Sequence, residues 1–169
     1  MKISDICEIL KAELYDNGYE YGFTLNGKKY KPDMSGGFDE NYYRLSMTEY
    51  LVQSPEVTMK EKIGTCVDAV LLMRTKLSEI GISSKIWLLH HKAKNKVHTI
   101  LTFSAEEKTV YLELTPKSAK PWYGKEIIYD SEDALVGEYT ENGFEVREVT
   151  DEIKVGEPPH VLLNALNSN

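Results

Sequence analysis

Apolar residues recur at helical spacing in the first half of the chain and alternate at strand spacing through much of the second. Ile6, Cys7, Leu10 and Leu14 share one face, which predicts a first helix from Ser4, as its cap, to Tyr15, ended by Asn17-Gly18. A clearer helix rests on Val67, Val70, Leu71, Leu77 and Ile80, with Gly81 to stop it. Thr65 is placed to cap this helix, and Asp68 stands where the acid of a capping box belongs. Between the two, Asn26-Gly27 separates Tyr21-Gly22-Phe23-Thr24-Leu25 from Lys28-Lys29-Tyr30 and predicts a hairpin with a two-residue turn. Residues 32–37 read as a loop, and the aromatic-rich stretch 38–50 as partly helical. Ser54-Pro55-Glu56 supplies a cap, a first helical position and an acidic first turn for another short helix.

Beyond Gly81 the period falls to two. Strands are expected over 85–90, 97–103 and 110–115, then at 126–129, with a helix over 131–142 and a strand at 144–149. The tail from Asp151, with Pro158-Pro159 and an apolar run at 161–166, either packs as a last helix or frays. Helices first and antiparallel strands later imply the α+β class. No repeat or low-complexity linker interrupts the chain, so residues 1–169 read as one domain.

Composition narrows the function. Hydrophobic residues make up 41% and charged residues 28%, enough to bury a core without marking a specialised class. A formal charge of −7 argues against a nucleic-acid or membrane surface, since both need clustered positive charge. Lys92, Lys94 and Lys96 do gather, but a solvated loop accounts for them. The N-terminus has no apolar stretch of signal-peptide length, and no run approaches a membrane span. Two cysteines make no disulfide framework, so a reducing compartment and a cytoplasmic location are expected.

Cys66 carries the most direct chemical signal. It follows Gly64-Thr65 at the start of the central helix, where the positive end of the macrodipole favours the reactive thiolate. Burial as a small hydrophobe is the common fate of a free cysteine, and Cys7, on an apolar helix face, reads that way. A thiol nucleophile needs a base and a group to orient it, and the chain continues with His98 and then Glu113. If strands 97–103 and 110–115 join through a four-residue loop at 104–107, His98 lies directly opposite Glu113 on one face. A surface His–Glu pair would satisfy the same register. Cys66, His90, His91 and His98 are also zinc-ligand types, but adjacent strand histidines point to opposite faces and no tight ligand pair is present, so zinc ranks below a triad. Trp87, Trp122, Tyr111 and Tyr123 fit either an acyl cleft or an ordinary core.

The run Gly64-Thr65-Cys66-Val67-Asp68-Ala69, then a Leu-rich helix and Gly81-Ile82, resembles the nucleophile segment of the transglutaminase-like superfamily. So do His98 early in a strand, Glu113 just before Thr115-Pro116, and the lead-in Ser54-Pro55-Glu56-Val57. The likeness covers about residues 54–116 as short motifs. It implies a papain-like, transglutaminase-like core, with the nucleophile helix packed on an antiparallel sheet. It also implies Cys66 as nucleophile, His98 as general base and Glu113 as the orienting acid. Glu113 stands where the family usually has Asp, and Thr99 follows the histidine where the family often has Trp.

These readings together lead to a thiol acyl-transfer enzyme acting on a peptide or amide, with hydrolysis as the default and transamidation if an amine reaches the acyl-enzyme. The backbone N–H of Cys66 is the expected oxyanion donor. Gln53 is the preferred second donor, ahead of Tyr42, Tyr43 and Tyr50. No cofactor or metal is expected; calcium has no EF-like loop to occupy. A peptide or protein substrate is expected, and no nucleic acid or membrane partner. The alternatives are an inactive domain of this fold that binds a peptide or protein partner, and a structural domain with a redox-sensing Cys66.

Overall fold

Helix α1 (Ile3–Glu13) buries Ile3, Ile6, Cys7 and Leu10 along the predicted apolar face. Its cap is not Ser4. Lys2 occupies the N-cap and offers no side-chain bond. The Ile3 amide donates instead to Glu106 Oε2 at 3.1 Å, a carboxylate from the far half of the chain. Because Ile3 is buried, the helix starts before the serine that local preference favours. It also stops short of Tyr15, giving way to a 3₁₀ turn at Tyr15–Asn17.

The structure is a computed structural model that describes residues 1–33, 35, 38–116 and 121–168, so the loop expected at 32–37 falls partly outside it. Strand β1 (Glu20–Tyr21) precedes the hairpin of β2 (Phe23–Leu25) and β3 (Lys28–Tyr30). Asn26 and Gly27 hold φ values of 51° and 77°, the turn type whose twist matches paired strands. Helix α2 (Glu40–Thr48) is capped by Asp39, and α3 (Pro55–Glu61) by Ser54 with Pro55 in its first turn. Strand β4 (Ile63–Gly64) pairs in parallel with β1, setting Tyr21 beside Gly64. Helix α4 (Cys66–Glu79) then begins at a complete capping box of Thr65 and Asp68.

The second half forms the sheet. Strands β5 (Ser84–His91), β6 (Lys96–Ala105), β7 (Lys108–Leu112) and β8 (Glu126–Tyr129) are followed by helix α5 (Glu132–Glu141) and strand β9 (Phe144–Glu148). The order is β8-β7-β6-β5-β9, antiparallel throughout, so the molecule is α+β. Successive strand residues face opposite sides. Ile86, Leu88, Leu101, Phe103, Val110 and Leu112 pack with α1 and α4. Trp87, Leu89, Ile100 and Tyr111 pack with Leu135 of α5. Both faces are covered, which is why β5 and β6 read as nearly unbroken apolar runs. Each fully buried Leu or Phe contributes about 1.5–3 kcal/mol. The tail packs as helix α6 (His160–Asn167), with Val161 buried. No helix among the described residues is long and apolar enough to cross a membrane.

The turn between β6 and β7 corrects the expected register. Ala105 pairs with Lys108 and Thr102 with Tyr111, so the connection is Glu106-Glu107 alone and not a four-residue loop. Both residues hold positive φ, at 51° and 61°, a region that β-carbons disfavour. The long ladder and the Glu106–Ile3 bond hold a turn that neither residue would choose locally.

Candidate active site

Cys66 opens α4, and several independent fastenings decide where it sits. Asp68, wholly buried, accepts from the Thr65 amide at 2.9 Å, the Gln53 amide at 2.9 Å and the Tyr50 hydroxyl at 2.6 Å. One carboxylate thereby ties the helix start to the segment that precedes α3. Gly64 makes the approach possible, because a β-carbon there would stand 3.0 Å from Asp68 Cβ and 3.1 Å from Thr58 Cγ2. As the first residue of α4, Cys66 has a backbone N–H that helical geometry leaves without a partner.

His98 and Glu113 meet at 2.8 Å, Nε2 to Oε2. They are not the opposed pair expected from a four-residue loop. The observed register, continued past Leu112, sets His98 opposite Thr115, and Glu113 reaches it on the diagonal. Diagonal neighbours lie about 7–8 Å apart, within reach of a long side chain. The additional methylene of glutamate over aspartate suits that span. Glu113, only 2% exposed, also accepts from the Tyr111 hydroxyl on Oε2 and from the Thr115 amide on Oε1 at 3.0 Å.

The electrostatics of the group are mutually reinforcing. Burial works against the Cys66 thiolate, but the hydrogen bond and charge of His98, with help from Thr99, outweigh it and hold the thiol below its ordinary 9.0. Burial likewise works against the His98 cation, yet bonds to Cys66 and Glu113 push the imidazole up to about 10. Glu113 would be raised by burial, and His98, Tyr111 and Thr115 bring it down to about 2. With Nε2 committed to Glu113, Nδ1 is the ring nitrogen available to Cys66. At neutral pH His98 stands as an imidazolium and Glu113 as a carboxylate, and the adjacent imidazolium favours the Cys66 thiolate. Cys7 shows the contrast: burial, then the charge of Glu126, push its thiol up to about 11.

Other candidates take different places. Gln53 donates its carboxamide to Thr58 Oγ1 and the Ile63 carbonyl, and accepts from the Thr24 amide. Both ends of the carboxamide are spent on the scaffold, which removes it as an oxyanion donor. Tyr50 is committed to Asp68, and Tyr43, though exposed on α2, is among the residues that line the cleft. Tyr42 lends its ring to the cleft, while its hydroxyl is buried without a partner among the described residues. His90 bonds Asn95 at 3.1 Å and His91 accepts from the Lys94 amide at 3.2 Å, so neither joins Cys66 and His98 as a ligand. Among the described residues no His, Cys, Asp or Glu group suits a metal ion.

Cys66 and His98 open into a cleft of about 1290 Å³. Aromatic rings dominate its walls, among them Tyr42, Trp122, Tyr129, Tyr139 and Phe144. Tyr21 also lines it, a residue that sequence reasoning did not single out. The signal for Tyr21 is the β1–β4 bridge, too short to leave a pattern in the sequence.

Protein-family models give no match to this chain, and curated proteins give none either. Among solved structures the chain is similar to Legionella pneumophila LapG at 12% identity, covering 98% of this chain and 78% of that one, with a TM-score of 0.46. LapG in an EGTA-treated form matches at 12% identity over 98% and 80%, with a TM-score of 0.45. The calcium-bound form matches at 15% identity over 99% and 80%, with a TM-score of 0.44.

Proposed function

We propose that this chain is a thiol acyl-transfer enzyme with a papain-like, transglutaminase-like core, hydrolysing a peptide or amide bond through an acyl-enzyme on Cys66. The observation that carries the reading is the linked set of Cys66, His98 and Glu113 at the head of an open cleft. A buried free thiol with no role is held up, as Cys7 is. Cys66 is drawn the other way by a histidine that is itself anchored.

The steps follow from these groups. The Cys66 thiolate attacks the carbonyl carbon, forming the Sγ–C bond while the carbonyl π pair moves onto oxygen. The Cys66 N–H at the α4 start meets that oxyanion with a fixed dipole. The His98 imidazolium gives its proton to the leaving amine as the C–N bond breaks, leaving a thioester. The now neutral His98 takes a proton from water, the hydroxide adds to the thioester, and the C–S bond breaks to restore the thiolate. Glu113 keeps the ring oriented throughout and stabilises its charge. An amine in place of water gives transamidation by the same steps.

The test is the iodoacetamide alkylation rate of Cys66 against pH, read by mass spectrometry in wild type and in His98→Ala. A depressed thiol pKa that rises in the variant supports the reading. A slow thiol indifferent to His98 overturns it and points to a domain that binds its partner without turnover.

A further inference from the structure

The Cys66 N–H supplies one donor to the oxyanion, and the cleft offers a second that no part of the triad uses. We infer that the Tyr21 hydroxyl is this second donor, facing the Cys66 amide across the carbonyl oxygen of the bound acyl group. The inference rests on acyl transfer at Cys66.

The parallel bridge of β1 and β4 sets Tyr21 beside Gly64, just ahead of the nucleophile. Glu20 N–H donates to the Lys62 carbonyl at 3.0 Å and Gly22 N–H to the Gly64 carbonyl at 3.2 Å, so the backbone is fastened on either side of Tyr21. Gly22 is needed for that path: its φ is +151°, and a β-carbon would stand 2.3 Å from the Tyr30 carbonyl oxygen. The Tyr21 ring stands 6.2 Å from that of Tyr42, and both line the cleft with Cys66 and His98.

Tyr50 and Tyr111 spend their hydroxyls on Asp68 and Glu113. The Tyr42 hydroxyl has almost no exposed surface on which to meet a ligand. Among the described residues no hydrogen bond engages the Tyr21 hydroxyl, and Tyr21 lines the cleft where a ligand would lie. Burial, then the adjacent charge of Cys66, push its phenol well above the usual 10. It therefore stays protonated and keeps a hydrogen to donate. A phenol on a fixed strand needs little reordering as charge develops on the oxygen. As the Sγ–C bond forms, both donors shorten their hydrogen bonds and neither gives up its proton.

Two probes separate this role from a structural one in the intact chain. Iodoacetamide alkylates Cys66 by displacing iodide at a saturated carbon, so no oxyanion forms. 4-Nitrophenyl acetate acylates the same sulfur through one. Tyr21→Phe should slow acylation about 10²-fold while the alkylation rate and its pH profile stay as in wild type. Equal acylation rates in wild type and variant overturn the assignment. A matching fall in both rates also overturns it, since Tyr21 would then position Cys66 instead of meeting the oxygen. If wild-type Cys66 forms no acyl-enzyme with the ester, the failure lies with acyl transfer itself and the inference falls with it.

Discussion

Glu113 holds His98 across a diagonal of the β6–β7 register, Oε2 to Nε2 at 2.8 Å, since that register, continued past Leu112, would set Thr115 opposite the histidine. The geometry makes the length of the acid part of the site. Glu113→Asp should leave His98 short of its partner by about one methylene and lower the rate of acyl transfer. Equal turnover in Glu113→Asp and wild type would contradict a diagonal that only glutamate spans.

The pH dependence follows from the same bond. His98 is raised to about 10, so the imidazolium is present in the folded protein until the pH rises through that value. Its contribution to stability is complete below its ordinary 6.5 and is lost between there and about 10. Glu113 is lowered to about 2, so its contribution is present above 4.5 and is lost as pH falls toward 2. Removing the carboxylate in Glu113→Gln should lower the His98 pKa and let the Cys66 thiol rise. The bell-shaped rate profile should then narrow from both sides and its height fall about 10²–10⁴-fold. An unchanged profile removes Glu113 from the mechanism.

The two cysteines should part company. Cys66→Ala is expected to fold and lose all acyl transfer. Cys7→Ala should keep the chemistry and lose about 1–2 kcal/mol from the α1 packing, a fall of roughly 2–8 °C in Tm by calorimetry. In the native protein iodoacetamide should label Cys66 and spare Cys7, which is buried and held up to about 11. Faster labelling of Cys7 would reverse the choice of nucleophile.

Asp68 is predicted to matter as a fastening. Asp68→Ala strands the Thr65 and Gln53 amides and the Tyr50 hydroxyl in a buried site. Each orphaned group costs about 1–3 kcal/mol, so urea unfolding should show a loss of at least about 3 kcal/mol. A loss under about 1 kcal/mol would mean that the network is not closed as described.

Glu107 offers the opposite sign. It holds φ at 61° in the β6–β7 turn. Glu107→Gly should relieve that strain and stabilise the protein by about 0.5–1 kcal/mol, since the Glu106–Ile3 bond is left in place. A destabilised variant would show that the Glu107 side chain has a role beyond the turn.

Local rules go far in this chain because capping and period are local physics. Ser54-Pro55, the Thr65–Asp68 box, the Asn26-Gly27 turn and strand β8 all stand where the sequence puts them. Cys66 at a helix start is equally local. The register of β6 and β7 is not, because the Glu106-Glu107 turn is set by the ladder and by α1, far away in sequence, and not by the residues in it.

What the sequence alone determined is therefore the α+β order of elements, the capped helix that Cys66 opens and the residue types His98 and Glu113. Only the tertiary structure decided that those two meet on a diagonal, that Gln53 is consumed by the scaffold, and that Tyr21 comes to the cleft. Side-chain period and caps depend on neighbours along the chain. A diagonal contact, a carboxamide bonded at both ends and a bridge of two residues depend on partners that only folding brings together.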